Sequence, residues 1–536
     1  MGADVGETPP AGGYDVVEAS IATLAADMAA GRVTSEALTL AYQARIETID
    51  WAGPALRSVI ALNPRAPHDA RALDTERAAG KLRGPLHGVP LLIKDNIDTA
   101  DGTATTAGSL ALRDNVGSRD APVVRRLKDA GAVILGKTNL SEWANIRSAH
   151  SISGWSGVGG LVKNPYVLDR SAAGSSSGTG SAIAASLAAA GVGTETDGSV
   201  TAPSAFAGLV GLKPTLGLVS RTHIIPISAS QDTPGPMARS VLDAAILLTA
   251  MAGSDPDDPA TVAADARRAD YVAALRGASL AGKRLGVLRY ACKLRPAAEA
   301  MFDAAIARLR AEGAAVIEVD FAPPEDLGKN EHVVLLTELK AGLNAYFATM
   351  PAAVRVRTLA DVIAFNLATP REMALFGQEL LEKAEATLGL DDPAYLKARA
   401  DSLRAAGVDG IDRLLAADRL DALIAPTYGP AARIDVSGDH FWGGGSTTLA
   451  AIAGYPHLTV PMGQVQGLPV GLSFIGAAWS DAAMLTLGYA FEQTAGARRP
   501  PTYLPTLEDG PEIAAAFAPA LTPAAAPRTM APNTNA

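Results

Sequence analysis

Between residues 84 and 140 the chain alternates short apolar runs with amphipathic stretches. GVPLLIK predicts a strand, APVVRRLKDAG a helix that stops at Gly131, and AVILGKTN a second strand. The same order returns in KRLGVLRY, PAAEAMFDAAIARLRAEG and AAVIEVDF. Such alternation predicts an α/β fold with a mixed, mostly parallel central sheet covered by helices on both faces. Residues 15–50 predict two helices parted by Gly31-Arg32, with Thr34 or Ser35 as cap of the second. SAIAASLAAAGVG (181–193) predicts a buried helix, being too short and too alanine-rich to span a bilayer. Over 330–420, HVVLLTELKAGLNAYF, EMALFGQELLEKAEATLG and AYLKARADSLRAAG predict a largely helical insertion, after which DALIAPT and LPVGLSFIG return to strand. No long polar linker and no internal repeat interrupts the series. One large domain over 15–507 is expected, with a flexible arm before it (1–14) and an Ala/Pro-rich mobile tail after it (508–536).

Composition narrows the classes. A chain of 536 residues with 48% hydrophobic and 19% charged residues can bury a large core, so disorder over most of its length is excluded. The net charge of -10 argues against nucleic acid as a partner, since phosphate neutralisation needs an excess of Lys and Arg. One cysteine, Cys292, allows neither an intramolecular disulfide nor a thiolate metal cage. The first basic residue is Arg32, so the N-terminus is no secretory signal, and Gly6 stands where a myristoylation site wants Ser or Thr. A protein without a membrane segment, in the cytoplasm, is the expectation.

Three stretches carry candidate chemistry. Lys94 ends the apolar run Val89 to Ile93, where a solvated charge is out of place. It reads either as a lysine snorkelling from a strand end or as a neutral amine able to act as a base. The second role requires its pKa to fall from near 10.4 to about 7, at a cost on the order of 4 kcal/mol, which desolvation supplies. AAGSSSGTGS (172–181) reads as a flexible Gly/Ser loop, or as a G-x-S-x-G nucleophile elbow with Ser176 as nucleophile. KNPYVLDRSAA, which precedes it, is a poor strand for an elbow to follow. GTETDGSVTAP (193–203) reads as a polar turn, or as a turn aiming several backbone N–H groups at one point. None of the seven histidines sits in a recognisable triad context.

Taken together, Lys94, the Gly/Ser loop and the later DGS, followed by AFAGLVGLKPT, QDTPGPMARSVLDAA and GYPHLTVPMGQVQGLPVGLSFIG, closely resemble the amidase signature family over about residues 15–505. The resemblance implies a Ser–Ser–Lys relay: Ser199 as nucleophile, Ser175 as bridging serine and Lys94 as base, with Ser176 in support. It further implies an oxyanion hole of the backbone N–H groups of Thr196, Asp197, Gly198 and Ser199, a cis Gly174–Ser175 bond, and neither metal nor organic cofactor. Ala173, Ser177 and Asp197 stand where the family commonly has glycine. Asp197 matters most, because its carboxylate has to face away from the hole or be paired. GTETDGS, SQDTPGPMARS and LFGQELL resemble the peptide amidase branch, which implies hydrolysis of the C-terminal amide of peptides, and related primary amides, without cutting internal bonds. Other readings are an aryl, aliphatic or fatty acid amidase, the catalytic component of an amidotransferase, an esterase using Ser176, and a non-catalytic scaffold.

Overall fold

The apolar runs that end at Lys94 and Thr138 lie side by side in the middle of the molecule. In the computed structural model, which describes residues 13–436 and 444–511, eleven strands form one sheet. In chain order they are β1 (Val59–Leu62), β2 (Pro90–Lys94), β3 (Val133–Thr138), β4 (Ala190–Glu195), β5 (Val210–Lys213), β6 (Thr233–Ala238), β7 (Arg284–Leu288), β8 (Ala315–Val319), β9 (Ala422–Pro426), β10 (His457–Val465) and β11 (Leu468–Ile475). Their order across the sheet is β1-β3-β2-β4-β6-β5-β10-β11-β9-β7-β8. Nearly all of the expected arm and tail, and His440, lie outside the described residues.

The sheet is mixed, and its parallel parts are the segments with strand–helix–strand alternation. β2 runs parallel to β3 and to β4, while β7 runs parallel to β8 and to β9. The helix Pro122–Asp129 crosses from β2 to β3, with Pro122 at its first turn and Gly131, at φ +90, just past its end. A Cβ on Gly131 would lie 2.7 Å from the His87 Cα, so the stop also needs glycine for space. Between these flanks the ladders from β4 through β6, β5, β10 and β11 to β9 are antiparallel. β10 and β11 form a hairpin closed by Gln466-Gly467, both at positive φ, as a two-residue turn requires.

Two expected helices are cut short. The first, over 181–193, is helical only as far as the helix Ser177–Ala184; Ala190–Glu195 is strand β4. A run of small apolar residues suits a buried helix and a buried strand equally. Packing decides here. A Cβ on Gly191 would lie 2.7 Å from Thr179 Cγ2, and one on Gly193 would lie 2.7 Å from Ser176 Oγ, so glycines let the strand press against this helix. Arg239 donates to the Ile183 and Ala188 carbonyls (3.1 and 3.0 Å), taking acceptors that a longer helix would have used.

The second is EMALFGQELLEKAEATLG, where only the helix Glu379–Glu385 forms. The fully buried Arg147 guanidinium gathers the carbonyls of Glu372, Phe376 (2.9 Å) and Gly377 (3.1 Å), lies 4.3 Å from the Phe376 ring and pairs with Glu142 at 2.7 Å. The insertion otherwise follows its pattern, with the helices Leu327–Phe347, Leu359–Ala368 and Pro393–Ala406. Its apolar faces pack with Leu112, Trp143, Ile225 and Ile227 of the main domain into a second core. Among the described residues, no helix is long and apolar enough to cross a membrane.

Candidate active site

β2 is buried along its whole length, and its last side chain, Lys94, is completely shut from solvent. The amine finds three oxygens: Ser175 Oγ at 2.8 Å, Thr194 Oγ1 at 2.9 Å and the Thr194 carbonyl at 3.1 Å. None is a carboxylate. Burial pulls the Lys94 pKa down to about 7, against the weaker pull of Asp232 and Glu195 the other way. A neutral amine has two hydrogens and one lone pair. The Thr194 carbonyl can only accept, and Thr194 Oγ1, which also accepts from Asn96 Nδ2 at 3.0 Å, can take the second hydrogen. The lone pair is then available to the Ser175 hydroxyl.

Ser175 follows a cis Gly174–Ser175 bond and is fully buried. Gly174 is needed there for space, since a Cβ would sit 2.2 Å from Ser141 Oγ. Ser176 is engaged on all sides: its N–H donates to the Ser199 carbonyl (3.1 Å), its hydroxyl donates to the Thr194 carbonyl (3.1 Å), and the Thr194 N–H donates back to it (3.2 Å). With no strand before it and no exposed hydroxyl, Ser176 lacks the placement of an elbow nucleophile. No hydrogen bond joins any described histidine to Ser175, Ser176 or Ser199. Among the described residues the one imidazole–serine hydrogen bond, His457 Nε2 to Ser473 Oγ at 2.6 Å, is fully buried in the sheet, and burial drops the His457 pKa to about 3.

The segment after β4 holds Ser199, which is 8% exposed. The buried Glu195 carboxylate accepts from the backbone of Val200 (2.8 Å) and Thr201 (2.9 Å) and so fixes the turn beyond the serine. Gly198, at φ +77, makes that turn possible. Among the described residues, no acceptor takes the backbone N–H groups of Thr196, Asp197, Gly198 or Ser199. Four consecutive free donors are uncommon in a closed structure, where buried N–H groups are nearly always paired. Asp197 is tied through Oδ2 to the Thr448 hydroxyl at 2.8 Å. The Ser176 N–H to Ser199 carbonyl bond brings the two serine loops together, but the Ser175 and Ser199 hydroxyls do not bond directly in this structure.

Several residues of the site were not singled out from the sequence. Thr194 holds the amine, and Asn96 in turn donates to Thr194 Oγ1. Asp232, in QDTPGP, accepts from Thr196 Oγ1 (2.6 Å) and from the N–H groups of Ile227 and Ser228. A cavity of about 530 Å³ is lined here by Asn96, Thr194, Thr196 and Asp232, and also by Gly342, Leu390 and Tyr395 of the insertion. Thr194 and Asp232 lie inside GTETDGS and QDTPGP, two of the stretches that carry the family resemblance, and that was the available signal.

The profile of the Amidase family matches residues 37–485. A probable amidase of Arabidopsis thaliana is 38% identical over 503 residues, covering 92% of this chain and 93% of that protein. The first component of the glutamyl-tRNA(Gln) amidotransferase of Moorella thermoacetica is 36% identical over 474 residues, covering 86% and 93%. Among solved structures, the native peptide amidase from Stenotrophomonas maltophilia superposes with a TM-score of 0.85 at 53% identity, over 91% of this chain and 99% of that one. A profile matched along most of the chain, together with relatives of this identity and coverage, makes this protein a member of the amidase signature family.

Proposed function

We propose that this enzyme hydrolyses the C-terminal amide of peptides, and related primary amides, to carboxylate and ammonia while leaving internal peptide bonds uncut. Lys94, Ser175 and Ser199 form the relay. Neutral Lys94 accepts the Ser175 proton as Ser175 accepts that of Ser199, whose oxygen attacks the amide carbon. The carbonyl becomes an oxyanion facing the free N–H groups of Thr196 to Ser199, with Ser176 keeping the two loops together. As the tetrahedral adduct collapses, the C–N bond breaks and the relay returns its proton to the departing ammonia. Water, deprotonated by the same relay, then attacks the Ser199 ester and releases the acid.

The observation that carries this reading is the 2.8 Å contact between a fully buried, carboxylate-free Lys94 amine and Ser175 Oγ. The preference for peptide amides rests on the 53% identity to a peptide amidase. The relationship to a component of an amidotransferase supplies the second reading, a protein that acts only with partner chains. Mass spectrometry of an amidated peptide, its ester and its free acid, each incubated with the purified chain, tests both. The expected result is the small mass gain of an amide-to-acid exchange, with ammonia released and the backbone uncut. An untouched peptide amide would sink the first reading, and backbone fragments would refute the specificity.

A further inference from the structure

Glu331 lies in the first turns of the insertion helix Leu327–Phe347, far in sequence from every relay residue, yet it is 9% exposed and reaches the segment before Ser199. Two hydrogen-bond paths meet at its carboxyl. Gln231 donates through Nε2 to Glu331 Oε1 at 2.9 Å and to the Thr196 carbonyl at 3.3 Å. The Thr196 carbonyl belongs to the same rigid peptide plane as the Asp197 N–H. Whatever holds that carbonyl therefore also aims one of the four free donors. The second path is the Asp197 carboxyl, which adjoins that of Glu331 and bonds to it once one of the two carries a proton. Asp197 Oδ2 has the Thr448 hydroxyl, with Thr447 close by, while Oδ1 is sealed and accepts no hydrogen bond, which a proton on Glu331 would supply.

Resting on the oxyanion role of residues 196–199 in the proposed reaction, we propose that Glu331 is a positioning residue: as a carboxylic acid it donates to Asp197 and accepts from Gln231, holding the oxyanion segment from two sides. Two adjoining carboxylates cannot hydrogen-bond, and a second negative charge here would oppose a developing oxyanion. Burial and the Asp197 charge push the Glu331 pKa up to about 8, so the acid form persists at neutral pH. The charged and titratable groups around the pair are Glu195 and Lys213 near Asp197, Tyr428 and Tyr290 across from it, and His332 beside Glu331 on its own helix. Tyr395 and Arg399 of the helix packed alongside face Glu338 instead.

The test is the pH dependence of kcat and KM on a peptide amide for the parent, Glu331→Gln and Glu331→Ala. Parent kcat is expected to fall above about pH 8 as Glu331 ionises. Glu331→Gln cannot ionise but can both donate and accept, so it should keep its alkaline activity. Glu331→Ala should lower kcat about 10- to 100-fold with KM within about threefold. The proposal is overturned if Glu331→Gln falls at alkaline pH like the parent, if the two variants are equally impaired, if Glu331→Ala keeps parental kcat, or if only KM moves. Should Glu331→Ala fail to fold, the alkaline limb of Glu331→Gln decides alone. Ser199→Ala is the separate control: turnover surviving in that variant would refute the relay, whatever Glu331 does.

Discussion

Lys94 and Lys137 are both fully buried and sit on neighbouring parallel strands, one register step apart: Ile93 is level with Lys137, and Lys94 with Thr138. Side chains alternate across a sheet, so the two amines leave on opposite faces. Lys137 meets the Asp95 carboxylate at 3.1 Å, the Ile97 carbonyl at 2.9 Å and Thr105 Oγ1 at 2.9 Å. Lys94 meets only hydroxyls and a carbonyl, and the two acids in its field are engaged elsewhere: Asp232 by Thr196, Ile227 and Ser228, Glu195 by Val200 and Thr201. Equal burial thus gives unlike chemistry. A lysine in an ion pair has no lone pair to offer, whereas a desolvated one without a counter-ion does.

The largest expected effect separates the two directly. Lys94→Ala should lower kcat/KM by about a thousandfold or more with little change in unfolding temperature, because the proposed general base is lost. Lys137→Met should instead destabilise the fold by roughly 3–5 kcal/mol, since Asp95 becomes a buried unpaired charge. Thermal unfolding and kinetics on both variants would break the comparison if the two losses changed places.

Next in size is the acid limb. In the proposed reaction Lys94 acts as a base only when neutral, and its pKa lies near 7, so kcat/KM should drop about tenfold for each unit of pH below that point. A flat profile into strongly acidic pH would contradict a neutral-lysine base. Thr194→Val, which removes one acceptor from the amine, should cost about five- to tenfold in kcat. It should also move the acid limb to lower pH, because acceptors favour the ammonium form; a limb that stayed in place would mean that Thr194 does not tune Lys94. Ser176→Ala is expected to have the smallest effect, about a fewfold loss. Complete loss there, with Ser199→Ala active, would restore the elbow reading.

The strand–helix alternation around 84–140 and 284–319 was legible because a buried strand and an amphipathic helix have different periods. So was the oddity of Lys94 at the end of an apolar run. The helix–strand break inside 181–193 was not, since alanine and glycine suit both. Nor was the unwinding of 372–378, which a distant arginine imposes by taking its carbonyls. In the site, Asp197 was legible as a problem, a carboxyl beside the backbone N–H groups proposed to receive negative charge. The groups around it, Thr447, Thr448 and Glu331, lie more than 130 residues away, and no local pattern marks them.

By itself, then, the chain determined its alternating elements, the lysine, the serines and the glycines that let loops approach, because these depend on residue type and near neighbours. Tertiary structure alone decided which buried lysine lacks a counter-ion, which acids are already occupied, and which backbone N–H groups stay free. Those are properties of encounters between distant segments, and both the energy of a buried charge and that of an unpaired donor depend on who the partner is.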